Sequence, residues 1–187
     1  MIRFCHGFLI AVVALSVMDC CARTFHRKGE ETSHFAVREI VGKVTRVSDG
    51  DTVWVCSWLG RQKIRLNRID APESDQPFGK EATSYLKSLI GCKEICVKYE
   101  TIDRYGRILG SVFLGETDIN LQMVRDGCAW HYSHFDKTPT YADAEREARA
   151  EKRGLWAADN PINPHQWRKS KREGRFVRTI MSESSNE

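Results

Sequence analysis

No stretch of the 187 residues stays apolar for the roughly 20 positions a membrane-spanning helix needs; the run from Phe8 to Met18 is only eleven long. No internal repeat is visible, so the length reads as one domain with appendages. Neither sign of charge dominates: 29 Lys and Arg against 25 Asp and Glu leave a net +4. That balance fits a polyanionic partner without demanding one. A structural zinc site is short of ligands. Cys128, His131 and His134 have no fourth companion beyond Asp136 or a distant cysteine, so Cys128 reads as a buried thiol beside a polar aromatic segment.

The apolar run has the right length for the core of a signal peptide, with Arg3 ahead of it and Cys20-Cys21-Ala22 as small residues for cleavage. Residues 1–22 are therefore expected to be removed, giving a secreted or periplasmic product. A lipid anchor at Cys20 fits poorly with Asp19 just before it. The cut removes one Arg and one Asp, keeps the net +4, and leaves Cys56, Cys92, Cys96 and Cys128, an even set that permits two disulfides in any of three pairings. Residues 23–37 are polar and aperiodic and read as a flexible arm.

The chemistry concentrates at 49–73. Asp49-Gly50 follows Val44 and Val47 and signals a tight turn, with the glycine expected to accept positive φ. Val53 and Val55 alternate after it, and Leu59-Gly60 marks a second turn before Ile64 and Leu66. Folding the hairpin there sets 55 against 64, 53 against 66 and Asp51 against 68, so Asp51 and Asp70 reach the same rim. The alternation breaks at Arg68-Ile69, read as a bulge. Pro72 stiffens the exit and holds Asp70 and Glu73 on a short loop. Each acidic pair alone is an ordinary turn or polar loop, and Arg65 alone an ordinary surface strand residue. Their convergence on one rim is what points to a site.

Strands are expected at about 39–47, 52–58, 61–69, 95–99 and 108–114. A helix carries Ala82, Tyr85, Leu86, Leu89 and Ile90 and stops at Gly91. A short helix capped by Asp118 or Asn120 ends at Gly127, and a third runs from Thr138-Pro139 to Arg153 on a stripe of Tyr141, Ala144, Ala148 and Leu155. Periodicity and composition alone establish α+β. The element order matches a five-stranded Greek-key barrel of the oligonucleotide-binding kind with three helices. Residues 161–187, with Arg168, Lys169, Lys171, Arg172, Arg175 and Arg178 against Glu173, form a basic tail: a solubilising end or a non-specific phosphate contact.

Asp49-Gly50-Asp51-Thr52, then Arg65-Leu66 with Ile69-Asp70-Ala71-Pro72-Glu73, then Asp103-Arg104-Tyr105-Gly106-Arg107 resemble, in order and approximate spacing, the staphylococcal-type thermonuclease family. The resemblance covers residues 38–160 and implies the same barrel. It implies that Asp51, Asp70 and the Ala71 carbonyl (the family often has Thr there) hold Ca²⁺, and that Glu73 activates or orients the attacking water. Arg65 and Arg107 would grip phosphate, Arg104 and Tyr105 flank the neighbouring phosphate or sugar, and Tyr132 stack on a base. Asp49, Thr52 and Asp103 would support these groups or fix their turns. The implied activity is Ca²⁺-dependent cutting of DNA and RNA, single strands preferred, with little sequence preference and 3′-phosphate ends, by a monomer with no obligate protein partner. A non-catalytic nucleic-acid-binding module is the alternative, and a metal-binding envelope protein a more distant one. The retained Asp51, Asp70, Glu73, Arg65 and Arg107 favour the enzyme. The loop after Glu73 is short, with Lys80 its only lysine, which bears on substrate affinity rather than on chemistry.

Overall fold

A computed structural model describes the backbone of residues 37–184 and the side chains through 174. The expected signal peptide (1–22) and nearly all of the expected arm (23–37) lie outside the described residues. No described helix is long and apolar enough to cross a membrane.

Alternating burial builds the barrel. β1 (Arg38–Asp49), β2 (Thr52–Ser57), β3 (Gly60–Leu66), β5 (Glu94–Ile102) and β6 (Ile108–Leu114) form one sheet in the order β3-β2-β1-β5-β6, and a parallel β3–β6 pairing closes it. Inward residues (Ile40, Val44, Val53, Val55, Ile64, Leu66, Ile95, Val97, Ile108, Val112) are all buried, as period-two alternation on a closed sheet requires. The result is the closed five-stranded oligonucleotide-binding barrel in an α+β setting. A short β7 (Thr117–Asp118) extends the β6 edge.

Helix α1 (Gly79–Ile90) buries Ala82, Leu86 and Ile90 and stops at Gly91 as expected. In α2 (Ile119–Arg125) the Asp118 carboxylate caps the first turn by accepting from the Leu121 N–H at 3.0 Å. The other capping candidate, Asn120, is wholly buried and works across the barrel instead, accepting from the Val112 N–H and donating to Asn67 and to the Gly110 carbonyl. Helix α3 (Pro139–Ala150) rests on Tyr141, Ala144 and Ala148 and ends a few residues short of the expected Arg153; a 3₁₀ turn (Gly154–Ala157) then buries Leu155 and Trp156.

Four expectations are corrected. The β2–β3 turn is Trp58-Leu59, with Ser57 opposite Gly60, Val53 opposite Ile64 and Val55 opposite Gln62, so the register lies two residues from the expected one. A two-residue slip keeps every side chain on its face, so the core assignment survives, but Asp51 lies beside Leu66, whose N–H bonds its carbonyl at 2.8 Å, and not beside 68. The Arg68 break is a turn with that residue at φ 64°, after which β4 (Ile69–Asp70) leaves the barrel to pair with β8 (Trp130–His131). Gly50 is absent from the positive-φ residues; its requirement is space, since a Cβ there would lie 2.7 Å from the Ala71 Cβ and 3.1 Å from that of Ala82.

The fourth correction concerns the C-terminal segment. In place of three helices the described residues form four, because α4 (Pro164–Ser184) occupies the stretch read as a tail. Pro164 opens it, and the Asn163 side chain accepts from the His165 N–H at 2.9 Å. The four thiols are unpaired: Cys56 and Cys92 are exposed, Cys96 donates to Glu39, and Cys128 is buried. Burial, then the nearby Asp126 charge, pushes Cys128 up to about 12.

Candidate active site

Two turns and a short ribbon assemble the site. The Asp49–Asp51 turn is fixed by the Asp49 carboxylate, which accepts from the Asp51 N–H at 3.1 Å. Thr52 donates to Asp51 Oδ1 at 3.0 Å, and the Ala71 N–H donates to Asp51 Oδ2 at 2.9 Å, so β2 and the loop after β4 are bound to one carboxylate. The β4–β8 pairing sets Asp70 opposite Trp130 and carries it to the same rim. Loop 73–76 closes on itself: the buried Gln76 takes the Glu73 N–H on its side-chain oxygen at 3.1 Å, and its own N–H bonds the Glu73 carbonyl at 2.9 Å. Gly79 must be small, because a Cβ would run into that same carbonyl oxygen.

Arg65 lies between the carboxylates. Its Nη2 is 3.0 Å from Asp51 Oδ2 and 3.0 Å from Asp70 Oδ1, while Nη1 donates to the Leu66 and Ile69 carbonyls at 2.6 and 2.9 Å. The planar fork holds strand, turn and both acids together. A second guanidinium comes from α4. Arg168 reaches Asp70 Oδ2 at 2.8 Å and Glu73 Oε1 at 2.7 Å. Burial pushes the Asp70 carboxyl above its ordinary range, against the pull of the Arg168 hydrogen bonds and despite Arg65. Burial and then the neighbouring Asp51 raise Asp49 to about 6.

Arg107 stands apart. It pairs with Asp103, Nε to Oδ2 at 2.8 Å, and the same carboxylate accepts the backbone N–H groups of Tyr105 and Arg107. Burial pushes Asp103 up, but those bonds and the Arg107 charge outweigh it and hold the carboxyl low. Tyr105 is exposed, with the Arg104 and Arg107 guanidinium carbons 4.9 and 5.5 Å from its ring centre. Tyr132 is tied by its N–H to the Arg68 carbonyl at 2.8 Å and is half-buried; its ring lies 4.7 Å from Phe135, the more exposed ring of that segment. The structure thus gathers Asp51, Arg65, Asp70 and Glu73, and leaves Arg104, Tyr105 and Arg107 on a turn of their own.

Residues 63–158 match the family model described as staphylococcal nuclease homologue. An uncharacterized endonuclease of Escherichia coli is 43% identical over 134 residues, which cover 71% of this chain and 88% of that protein. One from Haemophilus influenzae is 40% identical over 132 residues, 70% and 74% of the two chains. The chain belongs to the staphylococcal nuclease family. Its similarity to the probable staphylococcal-like nuclease CAN2 of rice, 43% over 115 residues, covers 62% of this chain but 31% of that one.

A divalent cation in this staphylococcal nuclease-type site would rely on few side chains. Among the described residues no group of three or more His, Cys, Asp or Glu is arranged to hold a metal ion. Asp51 and Asp70 nonetheless fit a hard cation: both are buried, both supply oxygen, and one Arg65 nitrogen touches both, so their oxygens already converge on a shared positive charge. The Ala71 carbonyl and waters would have to complete the set. Sequence reasoning missed two residues at the rim. Arg168 was placed in the tail, although Asn163-Pro164 is a helix-start signal; Gln76 carried no signal, since its work is to join loop 73–76 to the Ile162 carbonyl at 2.6 Å.

Proposed function

We propose that the chain is an endonuclease that hydrolyses phosphodiester bonds of DNA and RNA, with Ca²⁺ as the metal, low sequence preference and 3′-phosphate products. The observation that carries this reading is the cluster itself: Arg65 bridging buried Asp51 and Asp70, with Glu73 joined to Asp70 through Arg168. Five such groups on one rim of an oligonucleotide-binding barrel suit a substrate that is both polymeric and anionic.

Asp51, Asp70 and the Ala71 carbonyl would hold the cation, which when bound supplies charge to offset that of the phosphate oxygens. The chain's residues do the rest. Glu73, its side chain 40% exposed, faces solvent where a water can be held, and takes the water's proton or orients the water as its oxygen attacks phosphorus. As that bond forms, the bond from phosphorus to the 5′ oxygen breaks, the leaving oxygen gains a proton, and the phosphate stays on the 3′ side. Arg65, fixed by the Leu66 and Ile69 carbonyls, offers its permanent charge to the phosphate, and Arg107 meets two phosphate oxygens with its planar fork. Arg107 would have to loosen from Asp103 to do so. Tyr105 and Tyr132 offer flat rings to the flanking nucleotides, a form of contact that tolerates any base.

The test follows cutting of single-stranded DNA with Ca²⁺, with chelator, and with Glu73→Gln. Rapid cutting that chelator stops and the substitution lowers by about 10²–10⁴-fold supports the reading. Tight binding without cutting under any divalent ion would make the barrel a binding module instead.

A further inference from the structure

Among its described side chains, through residue 174, helix α4 adds none to the two apolar core clusters. The residues of both core clusters end at Trp156, and among the described α4 side chains only Pro164 is buried. The fastenings at its start are polar. Arg168 holds Asp70 and Glu73, Trp167 Nε1 donates to Asp75 Oδ1 at 3.2 Å, Lys171 pairs with Asp75, and Gln76 donates to the Ile162 carbonyl just ahead of the helix. The Glu73 and Asp75 pairs are half-exposed and screened by solvent, while the Asp70 end of the Arg168 pair is buried and needs a cation in its place. The start of α4 is thus fastened over loop 73–76 by polar contacts that other charged groups can replace, unlike α1, which is anchored by Ala82, Leu86 and Ile90.

What it covers matters. Asp51, Asp70 and Glu73 bring three negative charges to the rim, and Arg65 and Arg168 return two. Arg168 takes oxygens on the acid proposed to hold the cation and on the acid proposed to handle the water. A guanidinium hydrogen-bonded to Glu73 Oε1 occupies an oxygen that would hold the water, and its charge repels a dication from Asp70. Arg65 differs: it is pinned by two backbone carbonyls and cannot leave without disturbing the fold. The Arg168 guanidinium is held by the Asp70 and Glu73 carboxylates.

We propose that α4 is an autoinhibitory strap whose Arg168 acts as a tethered cation on Asp70 and Glu73, giving up its place to a divalent ion when nucleic acid draws the basic helix aside. The inference rests on the nuclease reading of the same rim. Arg168, Lys169 and Arg172 present the positive charge that a polyanion would attract, and the same attraction lifts the inhibitory charge from the site.

The test uses the full chain as wild type, Arg168→Gln and Asp75→Ala, which removes the acceptor of Trp167 and the partner of Lys171. Calorimetric titration with Ca²⁺, without nucleic acid, is expected to show about tenfold tighter binding for Arg168→Gln and about threefold for Asp75→Ala. The Ca²⁺ concentration for half-maximal cutting should fall in step, with the plateau rate of Asp75→Ala within about twofold of wild type. A wild type that cuts and binds Ca²⁺, beside an Arg168→Gln variant that binds no more tightly, overturns the strap and leaves the nuclease reading standing. A plateau rate down tenfold or more with unchanged Ca²⁺ affinity also overturns it, making Arg168 a substrate contact. A wild type that neither binds Ca²⁺ nor cuts with any divalent ion defeats both. Circular dichroism checks folding, and if Arg168→Gln does not fold, Asp75→Ala decides.

Discussion

Asp70 and Asp136 are served by the same two-stranded ribbon and come out oppositely. Asp70 lies on β4, while Asp136 lies past β8, where it meets His131 Nε2 at 2.8 Å. Both have arginine partners, Asp70 with Arg65 and Arg168, Asp136 with Arg68. Burial pushes both up. For Asp136 that push loses to the Thr138 hydroxyl at 2.7 Å, the His131 ring, the Thr138 N–H and the Arg68 charge, so its carboxyl is held low. For Asp70 the push wins. The distinction lies first in burial, deeper at Asp70 with its side chain 3% exposed against 13% for Asp136, then in the Asp51 charge that opposes Asp70 and in who owns the donors. Asp136 draws on its own turn, whereas Asp70 shares Arg65 with Asp51 and Arg168 with Glu73. A carboxylate with private donors holds the fold together; one with shared arginines still has capacity for another cation.

The largest expected effect exchanges the two losses. Asp70→Asn should lower cutting by about a hundredfold or more while stability, measured by urea unfolding in chelator, stays within about 1 kcal/mol of wild type, because burial already disfavours the charge that is removed. Asp136→Asn should do the reverse, costing about 1–3 kcal/mol as the Thr138 and His131 bonds are weakened, with cutting at a permissive temperature retained. Equal stability losses in the two variants would erase the comparison.

The pH dependence sharpens it. A carboxyl held low in the folded chain binds fewer protons there than in the unfolded chain between the two pKa values, so stability rises with pH across that window. For Asp136 the contribution is present above the ordinary aspartate value of about 3.9 and is lost as pH falls through the lower folded value. Denaturant midpoints followed downward from pH 5 should therefore drop less steeply in Asp136→Asn than in wild type. An unchanged acid limb would remove Asp136 as its source.

Gly50 links the turn to the body on which the comparison rests. Gly50→Ala forces a methyl against Ala71 and Ala82, at distances where one element must yield, and should cost about 1–3 kcal/mol in thermal or urea unfolding. Because Ala71 yields toward Asp51, Ca²⁺ affinity should fall as well. A loss of stability with Ca²⁺ affinity intact would show that the strain passes into α1 through Ala82 instead.

How much was legible followed the range of the interaction. Alternation identified Val53, Val55, Ile64 and Leu66 as core, because parity is a local property; the register slipped by two because parity cannot count offset. The turn was settled by polar bonds that leave no hydrophobic trace, with Ser57 Oγ accepting from the Leu59 N–H and Gln62 donating to the Leu59 carbonyl. The acids at the rim were found because the motif spacing and the hairpin agreed. Arg168 was not, because its partner Glu73 is 95 positions away and nothing in a basic run names the carboxylate it will meet. Gly50 was recognised for the wrong reason: sequence shows that a glycine is used, and only packing shows whether angle or volume demanded it.

The smallest expected effect lies on the turn that the rim does not touch. Asp103 takes the backbone N–H groups of residues 105 and 107 and the Arg107 side chain, so the turn does not depend on the Tyr105 ring. That ring is 67% exposed and leans on two guanidinium groups, a contact worth about 0.5–1 kcal/mol at an exposed site. Tyr105→Ala should therefore leave stability within about 0.5 kcal/mol and raise KM for single-stranded DNA a few-fold, with kcat nearly unchanged. A fall in kcat with KM steady would mean that the ring positions Arg107 for the transition state. The turn would then belong to the same working unit as Asp70 and Glu73.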